Sequence, residues 1–118
     1  MMVLMTYTST FIFALRELDE RFHALNTEIA ERAREIPGFL GEEAWYDDAT
    51  GLHSEVYYWA SEDAVRELVA MDTHGIAKGL SDTWIAEYRV VIAEVRAMYG
   101  HATLGLAHIP AGAPAPSA

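Results

Sequence analysis

The apolar residues change rhythm near Leu15, and that change limits how the chain can fold. Upstream, Val3, Thr6, Tyr7, Thr8, Thr10, Phe11, Ile12 and Phe13 form a β-branched and aromatic run, the composition of a strand over residues 3–13. From there Leu15, Leu18, Phe22, Leu25, Ile29 and Ile36 advance in steps of three, four or seven, which predicts an amphipathic helix. Its outer face carries Glu17 with Arg21 and Glu28 with Arg32, four-apart pairs in the favourable orientation. Pro37-Gly38 ends it, because proline disfavours helical geometry in the preceding residue and glycine permits the reversal.

Two strands are expected next, over residues 39–46 and 52–60. Asp47-Asp48-Ala49-Thr50-Gly51 between them has the polar, glycine-ended chemistry of a hairpin loop. Ser61 is positioned to cap a second helix, with Glu62 and Asp63 in its first turn and Val65, Leu68 and Val69 as its buried stripe. Thr73 starts a further helical stretch with Ile76, Leu80 and Trp84, weakened by Gly75 and Gly79. A last strand is expected from Tyr88 to Tyr99, closed by Gly100. Residues 1–100 thus form one domain, and residues 101–118, rich in Ala and Pro, read as a mobile or extended tail.

The order β-α-β-β-α-β specifies an α+β, ferredoxin-like domain, an antiparallel sheet with helices on one face. The strand over 52–60 alternates Leu52, Ser54, Val56, Tyr58 against His53, Glu55, Tyr57, Trp59, so neither side of it is simply polar. A sheet with no wet face is expected to pack against a second copy, which predicts a homodimer.

Charge and residue usage narrow the partners. A formal net charge of −10, with no Lys/Arg run, opposes nucleic acid and anionic membrane surfaces alike. With no cysteine, disulfides, thiolate chemistry and Cys-bound metals are excluded. The N-terminus lacks a basic n-region and a cleavage site, and its apolar run is broken by Thr6, Thr8, Ser9 and Thr10. That predicts neither a signal peptide nor a membrane helix, and a cytoplasmic protein. No two histidines stand at i, i+4, and no glycine-rich phosphate loop is present.

If Trp59 faces the helices, period-two geometry sets His53, Glu55 and Tyr57 on the same face. An indole, a phenol, a carboxylate and an imidazole would then line one wall. Burial beside aromatic rings would raise the proton affinity of Glu55 and fit it to accept a proton from a phenol. The plainer alternative places Glu55 at a sheet edge, paired with Arg89 or Arg96. His74 is open to three readings: an exposed or capping residue, a proton-transfer group, or a haem ligand. Trp84 and Tyr88 are expected in the core or at the dimer contact, and in the pocket lining second. Trp45 and Tyr46 are expected to pack, and Glu42-Glu43 with Asp47-Asp48 to form a solvated acidic hairpin. His23, beside Phe22, is free to point to either side of its helix.

The run IPGFLGEEAWYDDATG, followed by VYYWASEDAVRELV and the VVIAEV…YG strand, resembles the antibiotic biosynthesis monooxygenase (ABM) family, small dimeric α/β-barrel proteins. The resemblance extends over residues 3–100. It implies an oxygenase that acts on a small hydrophobic, phenolic or polyketide-like molecule without metal, flavin or nicotinamide. Relatives on the same fold bind or degrade haem, and others have no known activity. Trp59 matches the pocket tryptophan of the quinone-forming members. Their asparagine four residues earlier is Glu55 here, their tyrosine six residues later is Val65, and their pocket arginine survives only as Lys78. By spacing, the axial histidine of the haem-degrading members falls near Lys78 rather than His74, and their helix tryptophan near Leu68. The resemblance therefore implies a site in which Glu55 or His74 is the base and Lys78 stabilises the oxyanion. Trp59, Tyr57, Trp84 and Tyr88 bind the substrate. No cofactor is expected in that reading. The alternatives are a haem-binding or haem-degrading protein with His74 as ligand, and a non-catalytic dimer that holds a small apolar molecule.

Overall fold

The computed structural model describes residues 5–16, 20–71, 85–101 and Leu104. Six elements follow in the expected order: β1 (Thr6–Leu15), α1 (Glu20–Glu35), β2 (Phe39–Asp47), β3 (Leu52–Trp59), α2 (Glu62–Met71) and β4 (Ile85–Val95). The strands form one sheet in the order β2-β3-β1-β4, with every neighbouring pair antiparallel. This is the ferredoxin-like α+β fold expected from the sequence.

The boundaries moved where composition was ambiguous. β1 runs on through Leu15, which the helical spacing had claimed, because Phe11, Phe13 and Leu15 all turn toward the helices. β4 begins at Ile85 and ends at Val95, earlier at both ends than the expected Tyr88 to Tyr99, since its pairing with β1 stops at Thr6↔Val95. In α2 the buried stripe is Ala64, Val65 and Leu68, and Val69 is exposed. Ser61 caps that helix as expected, its Oγ accepting the Ala64 N–H at 3.2 Å. The helical stretch expected from Thr73 and most of the tail lie outside the described residues.

The core lies between the helices and one face of the sheet, in two clusters. Tyr7, Tyr57 and Trp59 meet Ala33 and Ile36 of the α1 end and Ala64, Val65 and Leu68 of α2. Phe13 and Ile85 meet Phe22 and Ile29 of α1. Gly38 connects α1 to this arrangement. It has φ 101°, and a Cβ there would stand 3.1 Å from the Ala64 Cβ. Its carbonyl accepts the Ala60 N–H at 2.8 Å, tying the turn to the end of β3. Gly38→Ala should therefore lower stability by about 1–2 kcal/mol, from the left-handed backbone alone. A denaturant midpoint equal to that of the parent chain would refute this.

Among the described residues, no helix covers the opposite face of the sheet. Register places Thr8, Thr10, Ile12, Ser54, Val56, Tyr58, Trp45, Val91 and Ala93 on it. Trp45, expected to pack, is 63% exposed there, and Tyr46 on the helix side is 57% exposed.

Candidate functional site

One turn-to-turn row of α1 and two strands build a cleft at the β2 side of the molecule. Asn26, Ala30 and Arg34 recur at i, i+4 and i+8, so they share one face of α1. Opposite them, antiparallel register pairs Glu42 with Tyr57 and Ala44 with Glu55 on the helix-facing side of the sheet. Ala30 and Ala44 are too small to fill the space between helix and strands. The result is a cavity of about 270 Å³, lined also by Thr27 and Glu43.

Glu55 lies in the wall of this cavity, half-buried on an interior strand. Burial is the main influence on it and pushes its carboxyl above the usual glutamate range. The Asn26 side-chain amide donates a hydrogen bond to the carboxylate and pulls the other way, while the nearby Glu42 charge adds to the rise. Arg34 forms an ion pair with Glu42 at the same cleft, and that hydrogen bond is the main reason its guanidinium is held above its ordinary value. The cavity thus presents one carboxyl of raised proton affinity and a neighbouring carboxylate already neutralised by a guanidinium. A half-buried carboxyl of this kind is a reasonable proton acceptor for a weakly acidic hydroxyl.

The other expected site residues divide. Tyr57 is buried, contributes to the cavity wall, and sets its ring tilted against Trp59 at 5.9 Å. Trp59 faces the helices, the condition under which period two sets His53, Glu55 and Tyr57 there as well, but it is 0% exposed. Its indole N–H donates to Ser9 Oγ at 2.9 Å, so it sits behind Tyr57 in the core rather than at the cavity surface. Tyr88, on β4, is 60% exposed and lies beside Phe11 at 5.7 Å, on the helix-facing side but at the opposite edge of the sheet from the cleft. His74, Lys78 and Trp84 lie outside the described residues.

The edge alternative for Glu55 does not hold. β3 is flanked by β2 and β1, and Arg89 pairs with Ile12 on the opposite face of the sheet. Arg96 follows the end of β4, beyond the strand. Nor is the acidic hairpin simply solvated. Glu42 is held by Arg34, and Glu43 accepts hydrogen bonds from Trp45 Nε1 at 3.1 Å and from the Tyr58 hydroxyl. His23 is exposed.

Sequence reading missed Asn26, Arg34 and Ser9. Asn26 carried a signal: asparagine is a poor helix former, and here it sits well inside α1 at the spacing of Ala30 and Arg34. His53 was expected on the correct face, and it stacks on Phe13 at 5.2 Å with Tyr46 at 4.7 Å. Among the described residues, no three His, Asp or Glu side chains converge to hold a metal ion, and no helix is long and apolar enough to cross a membrane.

No protein-family model matches the chain, and no curated protein sequence matches it. Solved structures do. SnoaB from Streptomyces nogalater, a cofactor-independent oxygenase, is 18% identical, over 79% of this chain and 95% of that one, with a TM-score of 0.63. A conserved protein from Methanosarcina mazei Go1 is 14% identical, over 76% and 92%, with a TM-score of 0.65. A protein described as an antibiotic biosynthesis monooxygenase is 17% identical, over 78% and 99%, with a TM-score of 0.61. The chain shares its fold with these proteins. At such identities the likeness extends to the fold, and function must be argued from the cleft.

Proposed function

We propose that the protein is a cofactor-independent monooxygenase of the ABM type, acting on a small phenolic molecule held between α1 and the β2–β3 edge of the sheet. The observation that supports this most directly is Glu55, a half-buried carboxyl of raised proton affinity that opens on a cavity walled by Tyr57. Glu55 takes the phenolic proton, and the ring carbon that gains carbanion character passes electrons to dioxygen. The resulting peroxide loses water: one oxygen atom stays on the substrate as a carbonyl and the other leaves in that water. Tyr57 orients the ring. His74 as a second proton carrier, Lys78 as the oxyanion partner and Trp84 as a further substrate contact complete the assignment. The oxygenase description of SnoaB, on the same fold, is consistent with it.

Oxygen uptake by the purified protein against a panel of phenols and hydroquinones tests the reading. Stoichiometric consumption of dioxygen with quinone formation and no added cofactor is the expected result. Saturable binding of the same phenols without oxygen uptake would make the protein a passive carrier and overturn it.

The sheet face that no described helix covers supports a homodimer, which we propose works in the cytoplasm. Its apolar members, Ile12, Val56, Tyr58, Trp45 and Val91, make one continuous side of the sheet. Light scattering at micromolar concentration should return twice the chain mass of 13.1 kDa. A species of single chain mass would refute the dimer.

A further inference from the structure

The oxygenase reading needs Glu55 to be aimed and available as an acceptor, and nothing in that reading says what keeps it so. Among the described residues, four groups with a charge or a titratable proton lie on its face of the sheet or over it. Arg34 faces it from α1, Glu42 from β2, and His53 and Tyr57 flank it on its own strand, whereas Glu43 turns to the other face with Trp45 and Tyr58. From β1 its register partner is Phe11, which brings no charge. Arg34 is engaged with Glu42. The remaining polar group at the carboxylate is the neutral amide of Asn26, reaching across the cavity from the middle of α1.

We propose that Asn26 is a positioning residue: its side-chain amide, donated from α1, holds the Glu55 carboxylate as an oriented acceptor facing the cavity. An amide N–H suits the task because it is a donor at every pH and adds no charge. A lysine or arginine in its place would form a salt bridge and leave Glu55 too weak a base. An alanine would remove that donor and leave burial and the Glu42 charge, both of which favour the protonated form. Asparagine at this point costs helix propensity, which the hydrogen bond to Glu55 explains. The proposal rests on Glu55 being the base, and it extends that reading to the residue that governs it.

The test reads Glu55 itself and needs no substrate. The chain is labelled at the glutamate carboxyl carbons, and the Glu55 resonance is followed against pH in the parent, Asn26→Ala and Glu42→Gln. The Glu55 midpoint should rise in Asn26→Ala and fall in Glu42→Gln. Opposite signs matter here, because a general loosening of the cleft would move both variants the same way. Alanine is the better helix former, so Asn26→Ala should keep its thermal midpoint and far-ultraviolet spectrum. A Glu55 midpoint unchanged or lowered in Asn26→Ala overturns the proposal, whatever the oxygen electrode shows. If instead oxygen uptake persists in Glu55→Gln while Asn26→Ala still raises the midpoint, the base assignment fails and the hydrogen-bond assignment stands. Where turnover is measurable, Asn26→Ala should lose about tenfold or more at neutral pH and recover part of it as pH rises.

Discussion

Glu55→Gln is expected to abolish oxygen uptake and, in the same sample at neutral pH, to stabilise the fold. The first effect is the loss of a general base, about 10²–10⁴-fold in turnover. Glutamine keeps the shape and can still hydrogen-bond Asn26, so the variant removes the proton acceptor and leaves the cleft. The second effect follows from the burial that raises the Glu55 carboxyl. In the unfolded chain this carboxyl has its ordinary proton affinity; in the folded chain it holds its proton more tightly. The folded state therefore binds more protons in the window between the two values, and stability falls as pH rises through it. Below the ordinary glutamate range the carboxyl is protonated in both states and the handicap disappears. Above the folded value the full cost of a half-buried charge remains, and glutamine does not bear it. The thermal midpoint of Glu55→Gln should thus exceed that of the parent near pH 7, and the difference should close by about pH 4. Equal midpoints at both pH values would show that Glu55 is solvated and ordinary, and the base assignment would lose its physical ground.

A site residue that costs stability is the kind of conflict that sequence patterns expose poorly. The fold was legible because it rests on periodicity, which a single chain displays directly. The three- and four-residue steps of α1, the Pro37-Gly38 stop and the Ser61 cap all correspond to observed geometry. Period two also set Glu55, Tyr57 and Trp59 on one face of β3, the face that meets the helices. It could not say how deep each one lies on that face. Depth depends on what α1 and α2 bring against the strand, and that is set by long-range packing. Trp59 lies under α2 with Ala64 and Val65, whereas Glu55 lies where Ala30 and Ala44 leave space. For the same reason Asn26 and Arg34 were invisible as site residues: their partners, Glu55 and Glu42, are remote in sequence and meet them only across the helix–sheet interface.

That depth difference separates two roles for Trp59, and the separation predicts a large effect. As a wholly buried residue in the larger core cluster, Trp59 should cost about 3–5 kcal/mol when truncated to alanine. Against a total of about 5–15 kcal/mol for a domain, Trp59→Ala should be largely unfolded or melt far below the parent. Trp59→Phe is the gentler probe. It keeps an aromatic ring and removes the indole N–H, leaving Ser9 Oγ buried without its donor. Ser9→Ala makes the complementary error, with the indole N–H unsatisfied at a cost of about 1–3 kcal/mol. Because each single change strands the other partner, the double variant should lose less than the sum of the two. Additive losses in chemical denaturation would mean that the Ser9 contact contributes nothing. The same variants speak to function: with the indole behind Tyr57, Trp59→Phe should bind a phenol in the cleft as the parent does. A folded Trp59→Phe that no longer binds it would return the indole to the cavity wall, where the resemblance to the quinone-forming oxygenases had placed it.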